Sequence, residues 1–198
     1  TTAKIKELIR GERGSTARIQ ILRNDQLKTV NVVRGSIPVS AVDASYMIDK
    51  TTGYIKLNKF TENSYEEFMA ALEKLKTQGL QELIYDLRSN GGGYMNEAID
   101  MADEFLDGDK LVVYTEGTNS KKREYRCKRP GLFEKGKLTI LVDELSASAS
   151  EVLAGALQDW DRAIIIGRRT FGKGLVQEQY DLSDGSAIRL TVARYYTP

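Results

Sequence analysis

Apolar and polar positions along this chain switch between helical and alternating periods, and the switches mark its elements. Ile5, Leu8 and Ile9 stand at helical spacing within residues 2–10, and Gly11 ends that run. Two β-like runs follow, 17–23 and 27–34, joined at Asn24-Asp25, so a helix and a hairpin open the chain. Residues 37–52, with Pro38 and mixed polarity, read as a linker into a second domain. From Gly53 to Phe60 apolar and polar residues alternate, as in a strand with one wet face. Ser64 with Glu67 predicts a capping box for a helix whose buried stripe is Phe68, Ala71, Leu72 and Leu75 and whose end is Gly79. Leu83–Leu87 is then a short buried strand, and this β-α-β order implies a right-handed crossover and a parallel sheet.

Further along, Ala98, Ile99, Ala102 and Phe105 predict a helix. Residues 111–115 and 124–128 predict polar strands around a charged, solvated loop at 117–122. A second unit of the same kind follows: strand 138–142, a helix carrying Val152, Leu153, Ala156, Leu157 and Trp160, and strand 163–167. The runs 175–182 and 187–196 read as two strands around the turn 183–186. The pattern therefore predicts an α/β fold, with residues 1–36, 37–52 and 53–198 as first domain, linker and main domain.

Length and charge narrow the function less than they narrow the fold. A chain of 198 residues with net charge +1 gives no reason to expect nucleic acid or an anionic membrane as a partner. One cysteine, Cys127, excludes an internal disulfide and argues against a cysteine-rich metal site. No apolar run is long enough to cross a bilayer. Without an initiator methionine or signal peptide, the chain reads as an excised fragment, so its location is open.

Chemistry concentrates where strands give way to helices. Ser146, Ser148 and Ser150 stand in one turn between strand 138–142 and the following helix, whose first N–H groups would be ready oxyanion donors. Serines there also suit helix caps, and a Ser-x-x-Glu box runs from Ser148 to Glu151. A serine nucleophile needs a base, and the chain has no histidine. A lysine base must be kept neutral by desolvation, and Lys173 in Phe171-Gly-Lys-Gly174 is the candidate, 173 − 148 = 25 residues from Ser148. One helix and a return strand would bring the two loops to the same sheet edge.

The turn Asp86-Leu-Arg-Ser-Asn-Gly-Gly-Gly93 can approach a substrate closely and aim N–H groups at an oxyanion. Gly167 to Lys173 also fits all but the last position of a phosphate-binding G-x-x-x-x-G-K-[ST] loop. Gly174 fills the hydroxyl position and a strand follows where a helix is needed, which sets nucleotide binding aside.

Together the three segments Asp86–Gly93, Ser146–Glu151 and Thr170–Gly174 with Val176-Gln177 resemble the C-terminal processing, or tail-specific, serine peptidases. That resemblance implies Ser148 as nucleophile, Lys173 as general base and Gln177 as the amide that orients the lysine. It implies Ala149 and either Gly92 or Gly93 as oxyanion donors, with Asp159, Glu151 and Thr170 as supports. Asp159 lies eleven residues along the helix from Ser148, about 16 Å at ~1.5 Å per residue, too far for a proton relay. The same resemblance implies a ClpP/crotonase-like core of stacked β-α-β units, preceded by the C-terminal part of a PDZ-like domain whose carboxylate-binding loop would precede Thr1. No metal or organic cofactor is expected. Substrates would be proteins or peptides with free C-termini, in a bacterial periplasm or another extracytoplasmic space, with membrane proximity through segments outside this sequence. Two other readings stand beside it: a catalytically silent peptide-binding fragment, and a crotonase-type acyl-CoA enzyme needing neither Ser148 nor Lys173.

Overall fold

The computed structural model describes residues 2–35 and 40–198, so residues 37–39 of the expected linker, Pro38 among them, lie outside the described residues. The chain divides into two compact units, 1–39 and 40–198. In the first, helix α1 (Thr2–Ile9) precedes strands β1 (Thr16–Arg23) and β2 (Gln26–Val33), paired antiparallel from Thr16↔Val33 to Arg23↔Gln26. Asn24 and Asp25 both take left-handed φ, 52° and 57°, as the two-residue turn of such a hairpin requires. Within this unit the Arg34 guanidinium ties the hairpin to α1 by donating to the Ile9 carbonyl at 2.7 Å.

In the second unit β3 (Val42–Met47), β4 (Thr52–Leu57), β5 (Glu82–Asp86), β8 (Lys137–Val142) and β9 (Ile164–Gly167) form one sheet in that order. The pairs β4–β5, β5–β8 and β8–β9 are parallel and the edge strand β3 is antiparallel to β4. Helix α2 (Ser64–Thr77) connects β4 to β5, and α4 (Ala149–Asp159) connects β8 to β9, the expected β-α-β units. Helix α3 (Met95–Asp103) follows β5. Strands β6 (Leu111–Gly117), β7 (Ser120–Arg126), β10 (Leu175–Asp181) and β11 (Ala187–Tyr196) form a second, antiparallel sheet in the order β10-β11-β6-β7.

Helical stripe residues Phe68, Ala71, Leu72 and Leu75 are buried as their spacing predicts, and they meet Tyr85, Phe105 and Phe133 in an aromatic cluster with Phe68–Tyr85 and Phe68–Phe105 centroids 5.2 and 5.7 Å apart. Each fully buried aromatic or aliphatic side chain of this cluster contributes about 1.5–3 kcal/mol through removal from water.

Three local expectations change. The stretch expected as a linker holds β3, which pairs with β4 through Tyr46↔Tyr54. No capping box forms at α2: the Glu97 carboxylate receives the Tyr65 N–H at 2.7 Å and the Ser64 hydroxyl at 3.0 Å, while Glu67 turns back to accept the Ala41 N–H at 2.8 Å and so anchors the start of β3. A carboxylate from a neighbouring helix satisfies the same orphan donors a local cap would. The charged excursion at 117–122 is mostly strand, since β7 begins at Ser120 after a two-residue turn. Its lysines and arginines lie on an edge strand, where charge discourages further strand pairing.

Candidate active site

Strand β5 ends at Asp86 and β8 at Val142, side by side in parallel register, so the turns that follow them meet. Asp143 fastens one to the other, accepting the Ser89 N–H at 2.8 Å and the Leu145 and Ser146 N–H groups at 3.0 and 3.1 Å. Buried Asn90 is the second fastening. Its carbonyl receives the Ala147 N–H at 3.0 Å and the Ser150 hydroxyl at 2.9 Å, and its amide donates to the Leu57 carbonyl at 2.9 Å.

The three serines of the turn separate by these bonds. Fully buried Ser146 and Ser150 direct their hydroxyls to the carbonyls of Leu87, at 2.8 Å, and Asn90. Half-buried Ser148 remains, at the N-cap of α4 with φ 60° and ψ −114°, a backbone conformation costing a non-glycine residue about 1–3 kcal/mol. Strain of this kind, held by the surrounding bonds, pushes a side chain out at a strand-to-helix turn. Capping and candidate nucleophile therefore coincide in one residue: the Glu151 carboxylate accepts the Ser148 N–H at 2.8 Å.

Glu151 does more than cap. Its other bonds are to the lysine loop, from the Gly172 N–H at 2.6 Å and the Lys173 N–H at 2.9 Å. The same loop is held by the Phe171 N–H on the Ser146 carbonyl at 3.0 Å. One carboxylate thus fixes the backbone of Ser148 and of Lys173 together, and the parallel β8–α4–β9 unit brings the two loops to one end of the sheet, as their separation predicted.

A cleft of about 330 Å³ opens there. Ser148, Ala149, Lys173, Gln177 and Gly93 all line it, with Met95, Val152, Leu175 and Tyr195 as its less polar walls. Ala149 opens α4, so its N–H has no partner within the helix. Gly92 and Gly93 divide where the sequence left them equal. The Gly92 N–H is already given to Asn90 Oδ1 at 2.9 Å, whereas the Gly93 N–H has no acceptor among the described residues. Gly92, at φ 90°, serves by packing: a Cβ there would stand 2.8 Å from Ser148 Cβ and 2.9 Å from Ala149 N.

Gln177 reaches the cleft by strand alternation. Lys173, Leu175, Gln177 and Gln179, every second residue, all line it. The register shift between Val176 and Gln177 puts the extra residue, Val192, on the partner strand β11, so the alternation of β10 is kept. Asp159 sits exposed at the far end of α4, and half-buried Thr170 lies in the lysine loop outside the cleft lining. Three contributors had no role assigned from sequence: Asn90, Asp143 and Tyr195. Asn90 stood inside the glycine motif, but a buried asparagine bonded to distant partners is indistinguishable there from a turn asparagine.

The sequence profile of peptidase family S41 matches residues 51–198, and the chain belongs to that family. It is 38% identical over 194 residues to the carboxyl-terminal-processing protease of Picosynechococcus sp., covering 96% of this chain and 46% of that protein. To the chloroplastic carboxyl-terminal-processing peptidase 3 of Arabidopsis thaliana it is 37% identical over 197 residues, 100% of this chain and 37% of that one. Among solved structures, the photosystem II D1 C-terminal processing protease superposes with a TM-score of 0.72 at 31% identity, over 99% of this chain and 54% of that chain. The chain spans less than half the length of these curated relatives.

Proposed function

We propose that this chain carries the catalytic centre of a serine endopeptidase that processes proteins near their carboxyl termini. The observation that carries the reading is the single cleft in which Ser148, Lys173, Gln177, Ala149 and Gly93 converge. Lys173 takes the Ser148 proton as Oγ bonds to the scissile carbonyl carbon. The Ala149 and Gly93 N–H groups receive the oxyanion, and Gln177 orients the lysine amine. As the C–N bond breaks, the lysine returns its proton to the leaving amine. A water then gives its proton to the same lysine as it attacks the acyl carbonyl carbon, and the lysine returns that proton to Ser148 Oγ as the ester bond breaks.

The substrate class rests on the names of the relatives and is proposed for this chain on that basis, as is an extracytoplasmic location. The α1 and hairpin unit supports reading residues 1–36 as the C-terminal part of a PDZ-like domain.

Incubation with an unfolded polypeptide, followed by mass spectrometry, tests the reading against Ser148→Ala and Lys173→Ala. Cleavage by the parent and by neither variant is expected. Persistence of cleavage in either variant would remove the Ser-Lys pair, and a parent inert even within its full-length protein would favour a peptide-binding module.

A further inference from the structure

Tyr195 has a buried phenol oxygen with no hydrogen-bond partner among the described residues. An unpaired polar atom out of reach of water costs about 1–3 kcal/mol, so its persistence calls for a reason. Its position supplies one. Tyr195 is fixed from both sides, pairing with Thr115 of β6 and donating its N–H to the Gly174 carbonyl at 3.1 Å, one residue from Lys173. The ring therefore stands between the lysine loop and the start of α4. It lines the cleft with Ser148 and Lys173, and also the adjoining hollow with Glu151 and Gly172.

Burial and then the Glu151 charge push the phenol above the usual tyrosine range, while the Ser148 hydroxyl acts the other way. Tyr195 is accordingly a neutral donor at any working pH, and Ser148 lines the same cleft.

We propose that Tyr195 is a positioning residue for the nucleophile, its phenol donating to Ser148 Oγ as substrate closes the cleft. The inference rests on the Ser148–Lys173 reading above. A serine hydroxyl has one proton and two lone pairs. With one lone pair held by Tyr195, the proton is left to point at Lys173 Nζ and the second lone pair at the carbonyl. The bond is one made on the reaction path, and in the free protein the phenol has no partner among the described residues.

Tyr195→Phe keeps the ring and removes only the oxygen. Modification of Ser148 by a fluorophosphonate probe, kcat and KM on a peptide, and Tm are measured in the parent and the variant. Loss of one hydrogen bond made on the reaction path lowers kcat and the modification rate about tenfold, with KM unchanged and Tm unchanged or raised. Equal modification rates and equal kcat would overturn the proposal. A fall in Tm with KM and kcat drifting together would overturn it too, because it would mean a packing role. Failure of the probe to modify Ser148 in the parent would overturn this proposal and the peptidase reading together, an outcome distinct from the other two.

Discussion

Glu151 binds Lys173 by its backbone, with the carboxylate 2.9 Å from the lysine N–H, and the same oxygen accepts the Ser148 N–H at 2.8 Å. The anion thus sets the distance between the two loops and leaves the lysine amine to the cleft. Replacing it with alanine removes the acceptor of three N–H groups, each charge-assisted bond being worth about 1.5–3 kcal/mol when buried and less at this half-exposed site. Glu151→Ala is expected to lower stability by about 1–3 kcal/mol and to cut kcat by at least a hundredfold. Glu151→Gln, which keeps one acceptor oxygen, should fall between. Urea midpoints and turnover of the two variants check this, and a Glu151→Ala enzyme with parental kcat would show that the loops hold their spacing without it.

Consecutive glycines 91, 92 and 93 are not equivalent. A Cβ on Gly92 would meet the Ala147 carbonyl oxygen at 2.5 Å, and one on Gly93 the Phe60 carbonyl oxygen at 2.0 Å, both on left-handed backbone, whereas one on Gly91 meets nothing. Gly92→Ala and Gly93→Ala should therefore displace the serine turn or the open N–H beside it and lose activity by two orders of magnitude or more. Gly91→Ala should retain it within about twofold. The three single variants assayed side by side decide the matter: equal losses would mean that the glycines serve only turn flexibility.

Legibility in the sequence followed the range of the interactions. Stripes such as Phe68, Ala71, Leu72 and Leu75, the β-α-β order and the three chemical segments could be read because each is written in neighbouring residues. What could not be read depends on distant partners. The Ser64–Glu67 box is locally well formed, yet Glu97 takes the donors and Glu67 leaves for β3. The choice between Gly92 and Gly93 turns on the Asn90 side chain. Ser148 itself was separable from its neighbours only by resemblance, because what singles it out physically is that Leu87 and Asn90 already occupy the other two hydroxyls.

Asn90 fixes the glycine turn through both ends of its amide, at 2.9 Å to the Gly92 N–H and 2.9 Å to the Leu57 carbonyl, while its carbonyl holds the serine turn. Asn90→Ala leaves a buried donor and a buried acceptor unpaired, a cost of about 2–4 kcal/mol. It also frees the Gly92 N–H to compete with Gly93 for the oxyanion. We expect a lower Tm and a kcat reduced more than KM is raised. Asn90→Asp keeps the acceptor toward Gly92 but turns the other oxygen on the Leu57 carbonyl, and should be the less stable of the two at neutral pH. Thermal melts rank them, and the reverse order would contradict the assigned amide orientation.

Acid stability should be governed by Asp86, at the end of β5, and Asp143, just after β8. Burial alone would push the Asp86 carboxyl up, but the Arg88 guanidinium, with Nη2 at 2.6 Å, and the Tyr54 hydroxyl at 2.6 Å outweigh it and hold the group below its ordinary value of 3.8. Asp143 follows the same pattern, its burial outweighed by the Ser89 and Leu145 N–H groups. Since both carboxyls bind protons less readily in the folded chain, their contribution is complete above the unfolded value of about 3.9 and is lost as pH falls through the folded one. Urea midpoints should therefore be flat from neutral pH to about 5 and fall steeply below about 4. Asp86→Asn and Asp143→Asn should each be less stable at pH 7, by about 1–3 kcal/mol, and show a shallower acid limb because one linked proton is gone. Double substitution should flatten the limb further. An acid limb of parental steepness in both single variants would assign the acid sensitivity to other carboxylates.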